Sequence, residues 1–175
     1  FPLQYAVWRG GRRQGNAYTE WAAMEKQGGR DILTEAEYDN CLAIRNAARS
    51  DPEAARLLNA MSTFESRIEW TDTVTGMLCH GRPDATDGKL VLELKTTTDV
   101  RPNIFRAQSA RMLYHAQLAM YVDGLGAETA AVIAVEQKPP HAVQVFQVPE
   151  LTLEQGRYLY REWLQMVPAA ERFMG

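Results

Sequence analysis

The first part of the chain has the composition and spacing of amphipathic helices. Residues from Asn16 to Lys26 favour a helix, and Gly28 follows as a terminator. Thr34 and Glu37 have the spacing of a capping box, in which each side chain accepts a hydrogen bond from a free backbone N–H. Residues 1–15 have no clear period and are predicted to be irregular or a short strand. The predicted helices cover residues 16–26, 34–50 and 51–60.

From Thr63 onward the period changes to two, which is typical of strands. Apolar or small residues alternate with charged ones as far as Trp70, and a turn follows. The next strand ends at Pro83, which cannot donate a backbone hydrogen bond, and a turn around Asp87-Gly88 leads into an apolar third strand. The three strands predict an antiparallel meander with acidic residues at its rim. They cover residues 63–70, 77–82 and 90–96.

The last part of the chain alternates helices with two apolar strands. Pro102 predicts an irregular segment over residues 98–108. Helices are then predicted at 109–122 and 152–167, and strands at 129–135 and 142–148. Apolar residues fall on one side of the last helix, namely Leu159, Trp163 and Met166. The order of elements predicts an α/β fold, in which helices flank a mixed sheet made of the meander and the later strands.

Composition and charge narrow the class of protein. At 175 residues the chain suffices for a single domain, predicted to span residues 1–175, without disulfides. The net charge of -3 argues against coating nucleic acid through bulk charge but allows a local basic groove. Cys41 and Cys79 lack metal-ligand spacing, and no window approaches the roughly 20 apolar residues that span a bilayer. We therefore expect a soluble cytoplasmic protein. Because its first residue is Phe1, we expect the chain to lack an upstream N-terminal segment.

The candidate chemistry lies between the second and third strands of the meander. Asp84 follows one strand and Glu93 lies in the next, and adjacent strands are only about 5 Å apart. The two carboxylates can therefore converge on one Mg²⁺ ion, while Lys95 points to the same face as Glu93. Hydrolysis of a phosphodiester needs an activated water and stabilisation of the charge on phosphorus, and this set of groups can provide both.

A second interpretation of Glu93 and Lys95 is an exposed ion pair on an edge strand. The apolar residues on either side, from Leu90 to Leu92 and at Leu94, instead indicate a buried strand. Two charges in a buried strand are costly unless they have a function. The sequence therefore favours a site.

Pro83-Asp84 followed by Glu93-Leu94-Lys95 resembles the PD-(D/E)xK nuclease motif. Most of the chain, from about Arg12 onward, resembles the RecE (exonuclease VIII) group, in the RecB-like branch that includes phage lambda-type exonucleases. The resemblance is strongest at residues 65–70, 76–79, 81–84, 93–97 and 114–117 with Tyr121. It implies a restriction-endonuclease-like core and a magnesium-dependent exonuclease. Such an enzyme degrades one strand of linear double-stranded DNA from its 5′ end and leaves a 3′ tail for a RecT-type annealing protein.

The resemblance also implies roles for individual residues. Asp84 and Glu93 correspond to metal ligands, the Leu94 carbonyl to a third ligand, and Lys95 to the catalytic lysine. Glu65 matches an earlier acid that helps to hold a metal or its water. Gln117 and Tyr121 match the QxxxY element, although an ordinary amphipathic helix surface is the alternative for this pair. One or two Mg²⁺ ions are expected, with Mn²⁺ as a substitute, in a cyclic homo-oligomer encoded by a phage or prophage and working in a bacterial host.

One feature departs from the RecB-like pattern. Members usually carry a histidine in an earlier helix, but here no histidine precedes His80. Either that segment lies upstream of the chain, or the metal is bound differently. Two alternatives to the exonuclease stay open, and the missing histidine favours the second of them. One is a structure-specific DNA endonuclease with the same core, and the other is a catalytically weak DNA-binding module.

Binding of DNA by an acidic chain requires a local basic patch. Tyr114 could additionally stack on an unpaired base. Phosphate contacts are predicted for arginines, some of which can be ordinary surface residues, chosen from Arg12, Arg13, Arg67, Arg82, Arg101, Arg106 and Arg111.

Overall fold

The structure is a computed structural model that describes residues 4–174, with side chains described as far as Val167. The chain divides into two compact units, residues 1–46 and 47–175. The elements of the first unit are β1 (Tyr5–Trp8), α1 (Asn16–Gln27), β2 (Asp31–Thr34) and most of α2 (Glu35–Ser50). The second unit contains α3 (Pro52–Ala60), β3 (Thr63–Phe64), β4 (Ile68–Thr71), β5 (Leu78–Gly81), β6 (Ala85–Thr86), β7 (Leu90–Thr97), α4 (Pro102–Arg111), α5 (Tyr114–Leu125), β8 (Thr129–Glu136), β9 (Val143–Gln147) and α6 (Glu150–Met174).

The first unit pairs β1 with β2 in parallel, with α1 as the connection. The predicted capping box is confirmed at the start of α2. The Thr34 backbone N–H donates to Glu37 Oε2 at 2.6 Å, and the Glu37 N–H donates to Thr34 Oγ1 at 3.1 Å. Two N–H groups without helical partners are thereby satisfied, which explains why α2 begins here.

The second unit is built on a five-stranded sheet with the order β3-β6-β7-β8-β9. β7 and β8 are parallel, whereas the other neighbours are antiparallel. The predicted mixed sheet flanked by helices is therefore confirmed. β8 is apolar and buried from Ala130 to Val135, as expected for a strand with a neighbour on both sides and helices over its face.

The helices α5 and α6 pack closely on this sheet. A Cβ added at Gly156 of α6 would lie 2.1 Å from the His115 carbonyl oxygen of α5, so only glycine permits this approach. Leu153 and Tyr160 of α6 join the buried cluster that also contains Val91 of β7. β7 is therefore supported by a packed layer of helices.

The predicted three-stranded meander is wrong in its topology. Glu65 adopts a left-handed backbone conformation, with φ of 50°, and divides the predicted first strand into β3 and β4. Within the described residues, β4 pairs with β5 alone, and the two form a separate two-stranded sheet. Ala85–Thr86, predicted to be part of a turn, is instead β6 and lies between β3 and β7.

The segment after β7 also differs from expectation. Residues 98–108, predicted to be irregular, contain most of α4, because Pro102 occupies the first turn of a helix, where its missing N–H has no cost. Leu113 has φ of 56° and separates α4 from α5, so the helix predicted from residue 109 starts later.

The predicted apolar side of the last helix is also wrong in part. Trp163 is 42% exposed and Met166 is 66% exposed. The helix turns Leu153 and Tyr160 towards the core instead, since the close contact at Gly156 lies on that side.

Among the described residues, no helix combines the length and the apolar character needed to cross a membrane.

Candidate active site

β7 carries the charged pair at the centre of the site. Glu93 is 1% exposed, so the interpretation of an exposed pair on an edge strand is wrong. Lys95 lies two residues later on the same face, and its Nζ donates to Glu93 Oε2 at 2.7 Å. A buried carboxylate is thus paired with a lysine whose side chain is mostly buried.

Asp84 is joined to β7 by two reciprocal hydrogen bonds. Its backbone N–H donates to Glu93 Oε1 at 3.0 Å, while its Oδ2 accepts from the Leu94 N–H at 2.8 Å. Asp84 follows Pro83, and β6 starts only at the residue after it, so these side-chain contacts replace regular strand pairing here. A carboxylate offers about four lone-pair sites, which leaves acceptor capacity on Asp84 for a cation.

The Leu94 carbonyl shares this edge of β7. In an extended strand the N–H and C=O of one residue point to the same side, and the Leu94 N–H points to Asp84. Continuing the register from Ala85 and Leu92 places Pro83 opposite Leu94, and proline has no N–H to donate to that carbonyl. Two carboxylates and a carbonyl therefore face one edge.

Burial raises the pKa of Glu93, because the carboxylate loses contact with water. The nearby charge of Asp84 raises this pKa further, whereas the hydrogen bond and charge of Lys95 oppose the shift. Glu93 therefore stands in an environment that favours an additional cation.

α5 supplies the next contacts to Lys95. Its Nζ donates to Gln117 Oε1 at 3.0 Å, and Gln117 Nε2 donates to the Tyr121 hydroxyl at 3.3 Å. Gln117 thus contacts the lysine directly, and Tyr121 is linked to it through Gln117. The role of this pair in the site stays a prediction. The Tyr121 ring in turn packs against Gly81 at the end of β5.

Glu65 lies near Asp84 through its backbone rather than its carboxylate. Its N–H donates to the Asp84 carbonyl at 3.1 Å. Its side chain is 60% exposed and pairs with Arg82 Nε at 3.2 Å. Within residues 4–167 no group of three or more histidine, cysteine, aspartate or glutamate side chains is arranged to hold a metal. Glu65 therefore remains a predicted ligand that the structure does not bring together with Asp84 and Glu93.

One family model, described as a PDDEXK-like domain of unknown function (DUF3799), matches residues 15–172. The chain belongs to this family. Its PD-(D/E)xK nuclease fold agrees with the motif formed by Asp84, Glu93 and Lys95. No curated protein sequence matches the chain.

This PDDEXK-like domain is also similar to solved structures. A candidate exonuclease from Eubacterium rectale aligns with 13% identity and a TM-score of 0.62 over 89% of this chain. The chain spans only 63% of that protein, and the likeness shows the fold alone. A phage related exonuclease from Haemophilus somnus 129PT aligns with 11% identity and a TM-score of 0.45, over 90% of this chain and 75% of that one. LHK-Exo, an alkaline exonuclease from Laribacter hongkongensis solved with dAMP, aligns with 11% identity and a TM-score of 0.45. The alignment covers 92% of this chain and 85% of LHK-Exo. Membership of the RecE group stays a prediction.

The donor set of the PDDEXK-like domain fits a magnesium ion. Mg²⁺ prefers hard oxygen ligands and keeps several of its waters, so Asp84, Glu93 and the Leu94 carbonyl need supply only part of its shell. The raised pKa of buried Glu93 supports this fit, because a bound cation would offset both its burial and the nearby charge of Asp84.

The predicted DNA-binding arginines have different surroundings. In the first unit, Arg12 is exposed, and Arg13 donates to Glu37 Oε2 at 2.5 Å. In the second unit, Arg82 pairs with Glu65, whereas Arg106 and Arg111 are exposed residues of α4. Arg67 pairs with Glu69, and Arg101 pairs with Asp99. Four of the seven predicted charges are therefore partly neutralised, and phosphate contact stays a prediction for all of them.

Sequence reasoning missed a role for Tyr114 within the site. Its ring centroid lies 5.1 Å from Lys95 Nζ. The spacing of Tyr114 and Gln117 on one helix, three residues apart, was an available signal, because such residues share a face.

A partly buried network of acids, arginines and a tyrosine was also missed. It links the β4–β5 turn to α5 and α6, through contacts that are distant in sequence and leave no local pattern. Its members are Asp72, Asp123, Arg157, Tyr160 and Arg161.

Proposed function

We propose that this PDDEXK-like domain is a magnesium-dependent exonuclease that degrades linear double-stranded DNA from 5′ to 3′ and leaves 3′ single-stranded tails. The observation that carries the proposal is the arrangement of Asp84, Glu93 and Lys95 at one edge of β7. A buried glutamate with a raised pKa, beside a second carboxylate and a lysine, is costly to fold and is typical of a functional site.

Asp84, Glu93 and the Leu94 carbonyl would hold the metal. A Mg²⁺ ion bound there supplies positive charge that activates a water and offsets the charge developing on the phosphate. Asp84 and Glu93 fix each other through the paired hydrogen bonds described above, so the ligands are in place before substrate arrives. Such preorganisation lowers the cost of reaching the transition state.

Lys95 supplies a hydrogen-bond donor at the same edge. In hydrolysis the water oxygen gives up a proton and forms a bond to phosphorus, the bond from phosphorus to the leaving sugar oxygen breaks, and the leaving oxygen takes up a proton. The Lys95 ammonium can orient the attacking water or stabilise a phosphate oxygen through one of its three N–H groups. Gln117 accepts from another, which fixes the direction of the side chain.

The substrate and partners follow from the same proposal. Linear duplex ends would be held through phosphates by the exposed arginines, so binding should weaken with salt rather than depend on sequence. A cyclic homo-oligomer would enclose the duplex, and a RecT-type annealing protein would receive the 3′ tail in the bacterial cytoplasm. These parts of the proposal rest on the resemblance to the RecE group.

The first experiment is digestion of linear duplex DNA labelled separately at its 5′ and 3′ ends, with Mg²⁺, with Mn²⁺ and with EDTA. Metal-dependent loss that starts at the 5′ label is the expected result. Loss that starts at the 3′ label would contradict the polarity. Cutting of closed circular or branched DNA would identify a structure-specific endonuclease instead.

A catalytically weak DNA-binding module is the outcome if DNA is bound but not cut under any of these conditions. The same digestion with Lys95→Ala links the activity to this site. Cleavage at the wild-type rate by that variant would contradict the mechanism.

A further inference from the structure

Lys95 has a third neighbour besides Glu93 and Gln117. The Tyr114 ring lies next to the ammonium, with 5.1 Å between Nζ and the ring centroid. This distance is within the range in which the negative face of an aromatic ring attracts a cation. Tyr114 is half-buried without bound DNA, and its ring already contacts the Lys95 ammonium. Stacking on an unpaired base is therefore not needed to explain this residue.

The break between α4 and α5 puts Tyr114 in this place. Leu113 adopts the left-handed conformation, which is uncommon for a residue with a side chain and is often found near functional sites. Tyr114 is then the first residue of α5, and Gln117 follows one turn later on the same face. The two contacts from α5 to Lys95 depend on this break.

The position of the Tyr114 ring is fixed from two directions. The Phe105 ring of α4 packs on it, with 6.3 Å between the centroids. Its hydroxyl accepts from Gln108 Nε2 at 3.4 Å, and Gln108 Oε1 accepts from Thr97 Oγ1 at 2.7 Å. Thr97 is buried in β7, two residues after Lys95 and on the same face. The ring is thus tied to the strand that carries the lysine.

We propose that Tyr114 is a positioning residue that holds the Lys95 ammonium in its working direction. This inference rests on the proposed nuclease function. A lysine ammonium has three N–H donors, and Glu93 and Gln117 take two of them. A ring attracts the charge without accepting a conventional hydrogen bond. Tyr114 therefore restricts a flexible side chain and leaves the third N–H for the attacking water or a phosphate oxygen.

Two substitutions separate the ring from the hydroxyl. Tyr114→Phe keeps the ring and should retain kcat within about twofold, whereas Tyr114→Leu should lower kcat about tenfold with little change in KM for DNA. Tyr158→Leu is the matched control, since Tyr158 is an exposed residue of α6 and the same atoms are removed. A rise in KM alone for Tyr114→Leu would overturn the proposal in favour of base stacking. Equal losses of kcat for the two Tyr114 variants would also overturn it.

A second readout does not depend on activity. Lys26, Lys89, Lys95 and Lys138 are the lysines of the chain, so lysine labelled with ¹³C at Cε gives a simple NMR spectrum. The Hε protons of Lys95, assigned by loss of their signal in Lys95→Arg, should be shifted upfield by the ring in wild type and in Tyr114→Phe. The shift should disappear in Tyr114→Leu and persist in Tyr158→Leu. An unshifted wild-type signal, or a shift that survives Tyr114→Leu, would overturn the proposal.

The two readouts distinguish the positioning role from the nuclease function. If wild type cleaves no DNA but the upfield shift is present and depends on the ring, the nuclease proposal fails and the contact stands. If wild type cleaves DNA and the shift is absent, the nuclease proposal stands and the positioning role fails. Unfolding midpoints of all variants show whether a loss of kcat reflects a loss of folded protein.

Discussion

The ring of Tyr121 packs so tightly on Gly81 that a Cβ added at Gly81 would lie 2.5 Å from Tyr121 Cε1. Gly81 ends β5, and Tyr121 lies in the middle of α5. The Tyr121 hydroxyl accepts from Gln117, which in turn accepts from Lys95. The fit of the β4–β5 hairpin on α5 therefore helps to set the hydrogen bonds that reach the lysine.

We expect Gly81→Ala to displace the Tyr121 ring and to reduce nuclease activity. Overpacking of this kind costs about 1–3 kcal/mol of stability. Chemical denaturation and initial cleavage rates would measure the two effects. Gly28→Ala is the matched control, because the nearest atoms to its added Cβ lie 3.3 Å away and its φ is negative.

A double-mutant cycle tests the cause of the Gly81→Ala effect. In a Tyr121→Leu background the clash is relieved, so Gly81→Ala should cost much less stability than it does in wild type. Equal costs in the two backgrounds would show that the ring contact is not responsible.

Lys95→Ala should abolish cleavage while the protein stays folded and binds duplex DNA. A preorganised donor aimed at a transition state raises kcat by a factor of about 10² to 10³. In the proposed mechanism Lys95 is such a donor, and it also pairs with Glu93. Lys89→Ala is the control, since Lys89 is exposed and forms only a 3.7 Å pair with Glu128. Cleavage rates, the unfolding midpoint and DNA affinity should be measured on each variant. Loss of DNA binding in Lys95→Ala would mean that the lysine acts in substrate binding instead.

Much of this site could be predicted because its signals are local. Glu93 and Lys95 are two residues apart in an apolar strand, which placed both on one face and predicted their burial. The capping box of α2 and the start of α3 depend on side chains within a few residues of the backbone groups they satisfy. The predicted start of α3 is confirmed, because the Asp51 side chain accepts hydrogen bonds from the backbone N–H groups of Glu53 and Ala54.

The errors arise where distant contacts override local preference. The alternation from residue 63 to 70 predicts one strand, yet the positive φ of Glu65 directs β3 to the five-stranded sheet and β4 to its own hairpin. Pro102 can end a helix or begin one, and the contacts of Phe105 with the core favour the second. Periodicity alone reveals neither the positive φ of Glu65 nor the core contacts of Phe105.

The network around Asp72 predicts a large effect on stability far from the chemistry. Asp72 is 2% exposed, and its Oδ1 accepts from Thr75 through both backbone and hydroxyl at 2.8 Å. Its Oδ2 accepts from Tyr160 and Arg161 of α6. Asp72→Ala should lower the free energy of unfolding by about 3 kcal/mol, because the Thr75 N–H and hydroxyl lose their acceptor and Arg161 loses one of its two carboxylate partners.

Chemical denaturation of Asp72→Ala measures this loss. Asp99→Ala serves as the control, because Asp99 also accepts from a nearby backbone N–H but pairs with the exposed Arg101. That variant should change stability little. Similar losses in both variants would indicate that the contacts to α6 contribute nothing and that only the turn matters.

The raised pKa of Glu93 predicts how stability depends on pH without metal. Below the ordinary value of 4.5 the glutamate is protonated in both folded and unfolded chains. As the pH rises above that value, the unfolded chain releases its proton first, so the free energy of unfolding falls by about 1.4 kcal/mol per pH unit from this group. The fall stops once the pH passes the folded pKa. Glu93→Gln cannot ionise and should lack this component, so it should gain stability relative to wild type as the pH rises above 4.5.

Denaturation curves in EDTA at several pH values, for wild type, Glu93→Gln and the exposed control Glu128→Gln, would measure the difference. Carboxyl groups that do not interact with Glu93 contribute equally to each protein and cancel. A difference between wild type and Glu93→Gln that does not change with pH would contradict the raised pKa. Added Mg²⁺ should oppose the loss in wild type and in Glu128→Gln but not in Glu93→Gln, because a cation at Asp84 and Glu93 favours the ionised carboxylate and stabilises the folded chain that binds it.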